Sequence, residues 1–107
     1  MSAVFDLSAQ LEKIREDHRY HEFLRVPAMS AGVYVLPAGG TDLQSPHKED
    51  ELYYVVRGAG KVRLGGENRA ARNGDVIFVE AGIEHRFFDI EEELVLLVFF
   101  APPESSE

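Results

Sequence analysis

SPHKEDELYYVVRGAG, residues 45–60, sets one histidine and three consecutive carboxylates ahead of an alternating run and two glycines. Side chains alternate faces along a strand, so Glu51, Tyr53 and Val55 look the same way. His47 precedes Glu51 by four residues, and the two converge if a turn or bulge between them preserves the facing. Further along, EHRFFDI places His85, Phe87 and Asp89 on one face by the same parity. Two imidazoles and a carboxylate meeting inside a barrel make a ligand set for a divalent transition metal, because imidazole suits late metals and the carboxylate adds charge while leaving coordination positions open. Asp50 and Glu49 read as solvated turn acids or as groups that orient the imidazoles.

Around this stretch the punctuation is that of an all-β domain. AGVYVL ends at PAGG, ELYYVV at RGAG, KVRL at GGEN, AAR at NGD and VIFV at EAG, and EHRFFDI leads through acids into ELVLLVFFAPP. Short strands with turn signals about every 8 to 12 residues predict a sandwich or small barrel. The run Leu94 to Phe100 is apolar on both faces, as expected of a strand buried in a sandwich or covered by another subunit. Ahead of the strands, Leu7, Leu11 and Ile14 with Asp6 as N-cap predict a short helix. RYHEFLRVPAMS reads as irregular or extended, with Pro27 marking an edge or a turn. One domain is expected over 1–107, with a helix and arm over 1–26, the β-barrel over 27–101 and a loose tail over 102–107.

Composition narrows the function. The 107 residues suit one domain, and with no cysteine there is neither a disulfide nor a thiolate site. Nineteen acids against 11 bases give a formal charge of −8, which would repel a phosphate backbone, so no nucleic-acid partner is expected. Neither a signal peptide nor a long apolar run is evident, which predicts a cytoplasmic protein with no membrane partner.

The spacing of these residues resembles the cupin family. Its first motif is commonly G-x(5)-H-x-H-x(3,4)-E-x(6)-G, and Gly39, His47, Glu51 and Gly58 fall in register. Its second is commonly G-x(5)-P-x-G-x(2)-H-x(3)-N, and Gly74, Gly82 and His85 fall in register. The match spans about residues 31 to 101. It implies a double-stranded β-helix, or jelly roll, with the metal inside the barrel. Ser45 stands where the family has its first histidine, Glu80 where it has proline, and Asp89 where asparagine is common.

Three readings of the Ser45 position are open. Water takes the place of the missing ligand, leaving His47, Glu51 and His85 as a three-residue site; or Gln44 or Glu49 swings in; or the metal has been lost. The first is preferred. Tyr34, Tyr53, Phe87 and Asp89 are the candidate pocket walls, while His18 and His21 are given surface or packing roles. The resemblance implies iron, manganese, nickel or zinc, a small organic substrate or ligand, and a homodimer packed through sheet edges and the segment around Tyr20 to Val26. It allows dioxygenase, isomerase and decarboxylase chemistry alike. A non-catalytic small-molecule binder or sensor, with or without metal, is the alternative.

Overall fold

The computed structural model describes residues 2–42 and 46–105. One short helix, α1 (Leu7–Leu11), precedes six strands: β1 (Tyr20–Val26), β2 (Met29–Leu36), β3 (Asp50–Leu64), β4 (Glu67–Arg72), β5 (Val76–Val79) and β6 (His85–Ala101). All the strand pairings are antiparallel, in the order β1-β2-β6-β3-β4, with β5 on the remaining side of β3. Among the described residues, no helix is long and apolar enough to cross a membrane.

The helix is shorter than its periodicity predicts. Asp6 has an extended backbone but makes no side-chain cap bond, and Ile14 falls beyond the last turn. A five-residue helix without a cap draws its order from packing, here including the contact of Phe5 with Phe23 of β1, ring centroids 5.0 Å apart. The arm expected over 1–26 is partly sheet. β1 pairs β2 from Tyr20↔Tyr34 to Val26↔Met29, and Pro27 and Ala28 form the turn between them.

Two breaks expected from the sequence are bends. RGAG does not end a strand: β3 runs through it as one 15-residue strand, and β6 likewise runs for 17 residues through its acidic stretch. The two form a long ribbon with Glu51↔Phe100 near one end and Leu64↔His85 at the other. Laid straight, those ends would be roughly 40 Å apart. Register shifts between Val55 and Lys61 let the ribbon fold over itself. The first half of β3 lies between β6 and β5, and the second half between β6 and β4. At the bend Gly58 has φ +115°, and a Cβ there would come within 2.2 Å of the Glu93 carbonyl oxygen, so only glycine fits. Further along the bend, next to the Lys61↔Phe88 pair, Asp89 takes φ 47°.

This folding builds the core. Tyr53, Val55 and Val62 of β3 meet Phe87, Leu94, Leu96 and Val98 of β6, with Val79 of β5 and Ala71 of β4, in one buried cluster. In the doubly apolar Leu94–Phe100 run, Leu94, Leu96, Val98 and Phe100 face the core, while Leu97 and Phe99 on the other face are half-buried and pair with Tyr54 and Leu52. The same bend corrects the facing of Asp89. Parity places it with His85 and Phe87 toward the pocket, but its left-handed backbone turns the side chain out, where it is 64% exposed and pairs with Lys61 at 3.5 Å. Arg57, of the same parity as Glu51, is turned out as well and sits 4.0 Å from Glu93.

Candidate metal centre

Folding the β3–β6 ribbon double brings Glu51, at one end, to His85, at the other. His85 Nε2 lies 3.2 Å from Glu51 Oε1, and both side chains are almost wholly buried. His47 enters from the loop ahead of β3, with Nε2 3.9 Å from the same oxygen. That loop is fixed to the turn carrying His85: the Gly82 N–H donates to the His47 carbonyl at 2.8 Å, and the Ala81 N–H donates to Asp50 Oδ1 at 2.9 Å. Asp50 therefore organises the site without entering it. One donor atom each from His47, Glu51 and His85 lie within 4.8 Å of one another.

The protonation pattern suits a cation. His85 Nδ1 sits 3.1 Å from the Ile83 carbonyl, which can only accept, so Nδ1 carries the proton and Nε2 offers its lone pair. The Tyr53 hydroxyl lies 3.2 Å from that Nε2 and donates to it. Burial works against charging His85, but the Glu51 carboxylate and the Ile83 carbonyl outweigh it and hold the imidazole above its ordinary pKa. Glu51 is 2% exposed, and neither of its oxygens has a hydrogen bond, the 3.2 Å approach of His85 lacking the necessary alignment. A buried carboxylate with no donor is costly unless a counter-charge meets it. His47, Glu51 and His85 would hold a divalent ion that met this charge, so the residues present fit a metal.

Beside the triad is a cavity of about 140 Å³. Tyr20, Tyr34, Tyr53 and Phe100 form aromatic walls, and Glu51 and Glu104 contribute carboxylates; among the described residues no lysine or arginine lines it. The Phe100 ring packs edge-on against His47, centroids 4.9 Å apart. Of the expected walls, Tyr34 and Tyr53 line the cavity. Phe87 instead stands behind Tyr53, rings perpendicular at 5.0 Å, and Asp89 is outside altogether. Glu49 is buried but faces the C-terminal segment, accepting from the Ser105 N–H at 3.1 Å, and it does not join the ligand group. Gln44 and Ser45 lie outside the described residues.

Besides the cavity walls Val98 and Phe100, three residues of the site escaped the sequence reading. Tyr20 lies against Gly32, where a Cβ would come within 2.4 Å of its hydroxyl oxygen; this close approach seats the ring at the cavity. Asp42 is buried and accepts from the Tyr34 hydroxyl at 2.8 Å and from the Phe87 N–H at 2.9 Å. Burial, and then the Asp42 carboxylate, push the Tyr34 phenol well up, so it stays a donor. Glu104, expected in a loose tail, is docked: its N–H donates to Ser30 Oγ at 2.9 Å, and its carbonyl accepts from the Arg25 guanidinium. Its carboxylate lies 3.6 Å from His47 Nδ1. Burial, reinforced by Glu51, Glu22 and Glu49, pushes that carboxyl up to about 7, a sign of how much negative charge converges here.

Comparison with known proteins shows the family and the fold. The cupin domain family matches residues 32–100. An uncharacterized protein of Streptomyces coelicolor is 45% identical over 96 residues, 90% of this chain and 91% of that one. The crystal structure of TT1209 from Thermus thermophilus superposes with a TM-score of 0.77 at 24% identity, covering 94% of this chain and 97% of that chain. The structure of KdgF from a Halomonas species gives 0.70 at 25% identity over 78% and 76% of the two chains. The bent ribbon, the barrel it closes and the match across the strands from β2 to β6 place this chain in the cupin family.

Proposed function

We propose that the chain is a metal-binding cupin in which His47, Glu51 and His85 hold one divalent transition metal, iron, manganese, nickel or zinc, and the aromatic-walled cavity takes a small organic molecule beside it. The observation that carries this reading is the buried Glu51 carboxylate, without hydrogen bonds, facing two imidazole Nε2 atoms. When bound, such a metal supplies Lewis-acid polarisation of a substrate oxygen, the chemistry of an oxygenase or isomerase-type metalloenzyme. The chain's own residues do the rest. Tyr20, Tyr53 and Phe100 exclude water and limit the ligand to a few non-hydrogen atoms, while the Tyr34 phenol, its hydrogen given to Asp42, offers a fixed acceptor oxygen.

Metal content decides the matter. Protein purified without an affinity tag, measured by elemental mass spectrometry, is expected to carry close to one metal per chain, lost in the His47→Ala, His85→Ala double variant. Metal-free protein that also fails to bind added iron, manganese, nickel or zinc would overturn the reading in favour of a ligand-binding barrel without metal.

We also propose that the protein works as a homodimer through the outer face of β3 and β5. There Leu52 pairs Phe78 and Tyr54 pairs Val76, and these four are 38%, 59%, 41% and 62% exposed. A chain of charge −8 meets a copy of itself most favourably where no acid intervenes, and this array is uncharged. Sedimentation velocity is expected to give a dimer that Phe78→Glu converts to monomer; a monomeric parent protein at tens of micromolar would exclude the interface.

A further inference from the structure

The two imidazoles of the triad are held differently. His85 has its Nδ1–H fixed by the Ile83 carbonyl, a neighbour on its own turn. His47 stands on a loop, is less buried, and turns Nε2 toward Glu51 and Nδ1 toward Glu104 Oε2. A ligating histidine commonly gives its second ring N–H to a carboxylate or carbonyl, which fixes both tautomer and ring orientation. At 3.6 Å the Glu104 carboxylate is within ion-pair reach, and a shift well under 1 Å makes a hydrogen bond.

The segment that brings Glu104 there is built in. Arg25 of β1, itself held by Glu22 through two bonds of 3.0 Å, donates to the Glu104 carbonyl. Ser30 of β2, fully buried, accepts the Glu104 N–H, and buried Glu49 accepts the next N–H, that of Ser105. Three separate elements thus fix the backbone on both sides of one side chain, which points at His47. Glu104 is not one of the clustered donors, so its place is behind the imidazole and not among the ligands.

We propose that Glu104 is a positioning residue for the metal centre, accepting the His47 Nδ1 proton and so presenting Nε2 to the ion. The C-terminal segment then completes the site by fixing the one ligand that stands on a loop. This inference deepens the metal-binding reading above and rests on it, but one arm of its test does not need metal.

The experiment compares the parent protein with Glu104→Ala, Glu104→Gln and Ser30→Ala, using Zn²⁺ alone as the probe. Zn²⁺ affinity is measured by competition with a chromophoric chelator, and the imidazole nitrogens by ¹⁵N NMR with and without the ion. Glu104→Ala is expected to weaken Zn²⁺ binding roughly tenfold or more, the usual effect of losing such an outer partner. Glu104→Gln keeps an acceptor oxygen and is expected to stay within about threefold of the parent. Ser30→Ala, which unpins the Glu104 backbone, is expected to fall between them. In the metal-free spectra the Nδ1–H tautomer of His47 should be depleted in Glu104→Ala, while that of His85 stays unchanged. Parent-like Zn²⁺ affinity and tautomer in Glu104→Ala would overturn the proposal. So would a Glu104→Gln variant as deficient as Glu104→Ala, since that would make the carboxylate a direct ligand. Parent protein that binds no Zn²⁺ would sink the metal reading instead, and the metal-free tautomer comparison would still decide whether Glu104 sets the His47 ring.

Discussion

Glu51→Gln is expected to weaken metal binding by well over tenfold and, in the same protein, to raise the melting temperature measured in chelator. Both effects come from one fact: Glu51 is 2% exposed and neither oxygen is hydrogen-bonded. A carboxylate so placed is a liability until a cation meets it. Glutamine keeps the shape and removes the charge, while the Tyr53 hydroxyl continues to occupy the His85 Nε2 lone pair. The gain should be on the order of 1–2 kcal/mol, from a group that no longer needs a counter-charge. For a domain of this size that is roughly 5 °C or more in melting temperature.

Saturating metal should reverse the order of the two proteins. At a free concentration about a hundred times the dissociation constant, the ion stabilises the parent by about 2.7 kcal/mol and the variant hardly at all. Calorimetry in chelator and then in excess Zn²⁺ therefore reads both halves. His47→Ala and His85→Ala should each lose roughly tenfold or more in affinity. His85→Ala should also lose stability in chelator, because His85 is buried and bonded to Tyr53 and Ile83. A Glu51→Gln protein that melts below the parent in chelator, or is stabilised equally by Zn²⁺, would show that Glu51 is not held in reserve for a cation.

Parity carried the sequence reading as far as the backbone stayed regular. Glu51, Tyr53 and Val55 share an inner face because β3 is unbroken there, and His85 and Phe87 do so for the same reason. Parity failed at Asp89, where a left-handed residue in a bulge reverses the facing, and at RGAG, where glycines that commonly end strands bend one instead. A period of two cannot report a register shift, since the inserted residues that cause it look like any others. Tyr20 and Glu104 were missed for another reason. Each is brought in by pairings distant in sequence, Tyr20 by the β1–β2 register and Glu104 by Ser30 and Glu49, and nothing local marks them. The charged run EDE was legible only in its last member: Glu51 joins the triad, Asp50 clamps Ala81, and Glu49 anchors the C-terminal segment.

The buried acid at Asp42 supports a second large effect, one that separates architecture from metal chemistry. Asp42→Ala is expected to cost about 3 kcal/mol in the absence of metal, measured by urea denaturation in chelator. Its two oxygens accept from the Tyr34 hydroxyl at 2.8 Å and from the Phe87 N–H at 2.9 Å, joining β2 to β6 inside the barrel. Alanine leaves both donors buried without that acceptor, and each such loss costs about 1–3 kcal/mol. Asp42→Asn should cost only about 1 kcal/mol, because the amide oxygen still accepts from Phe87 while its N–H₂ can donate to the phenol oxygen, which then rotates its own hydrogen away. Equal, small losses in both variants would mean that these bonds do not hold the barrel. The position of the clamp makes the result bear on the site: Phe87 is two residues from His85 on β6, and Tyr34 is a wall of the cavity. Loosening Asp42 therefore frees a wall and a ligand strand together, so Asp42→Ala should lose Zn²⁺ affinity in step with stability, whereas Glu51→Gln gains stability as it loses the ion.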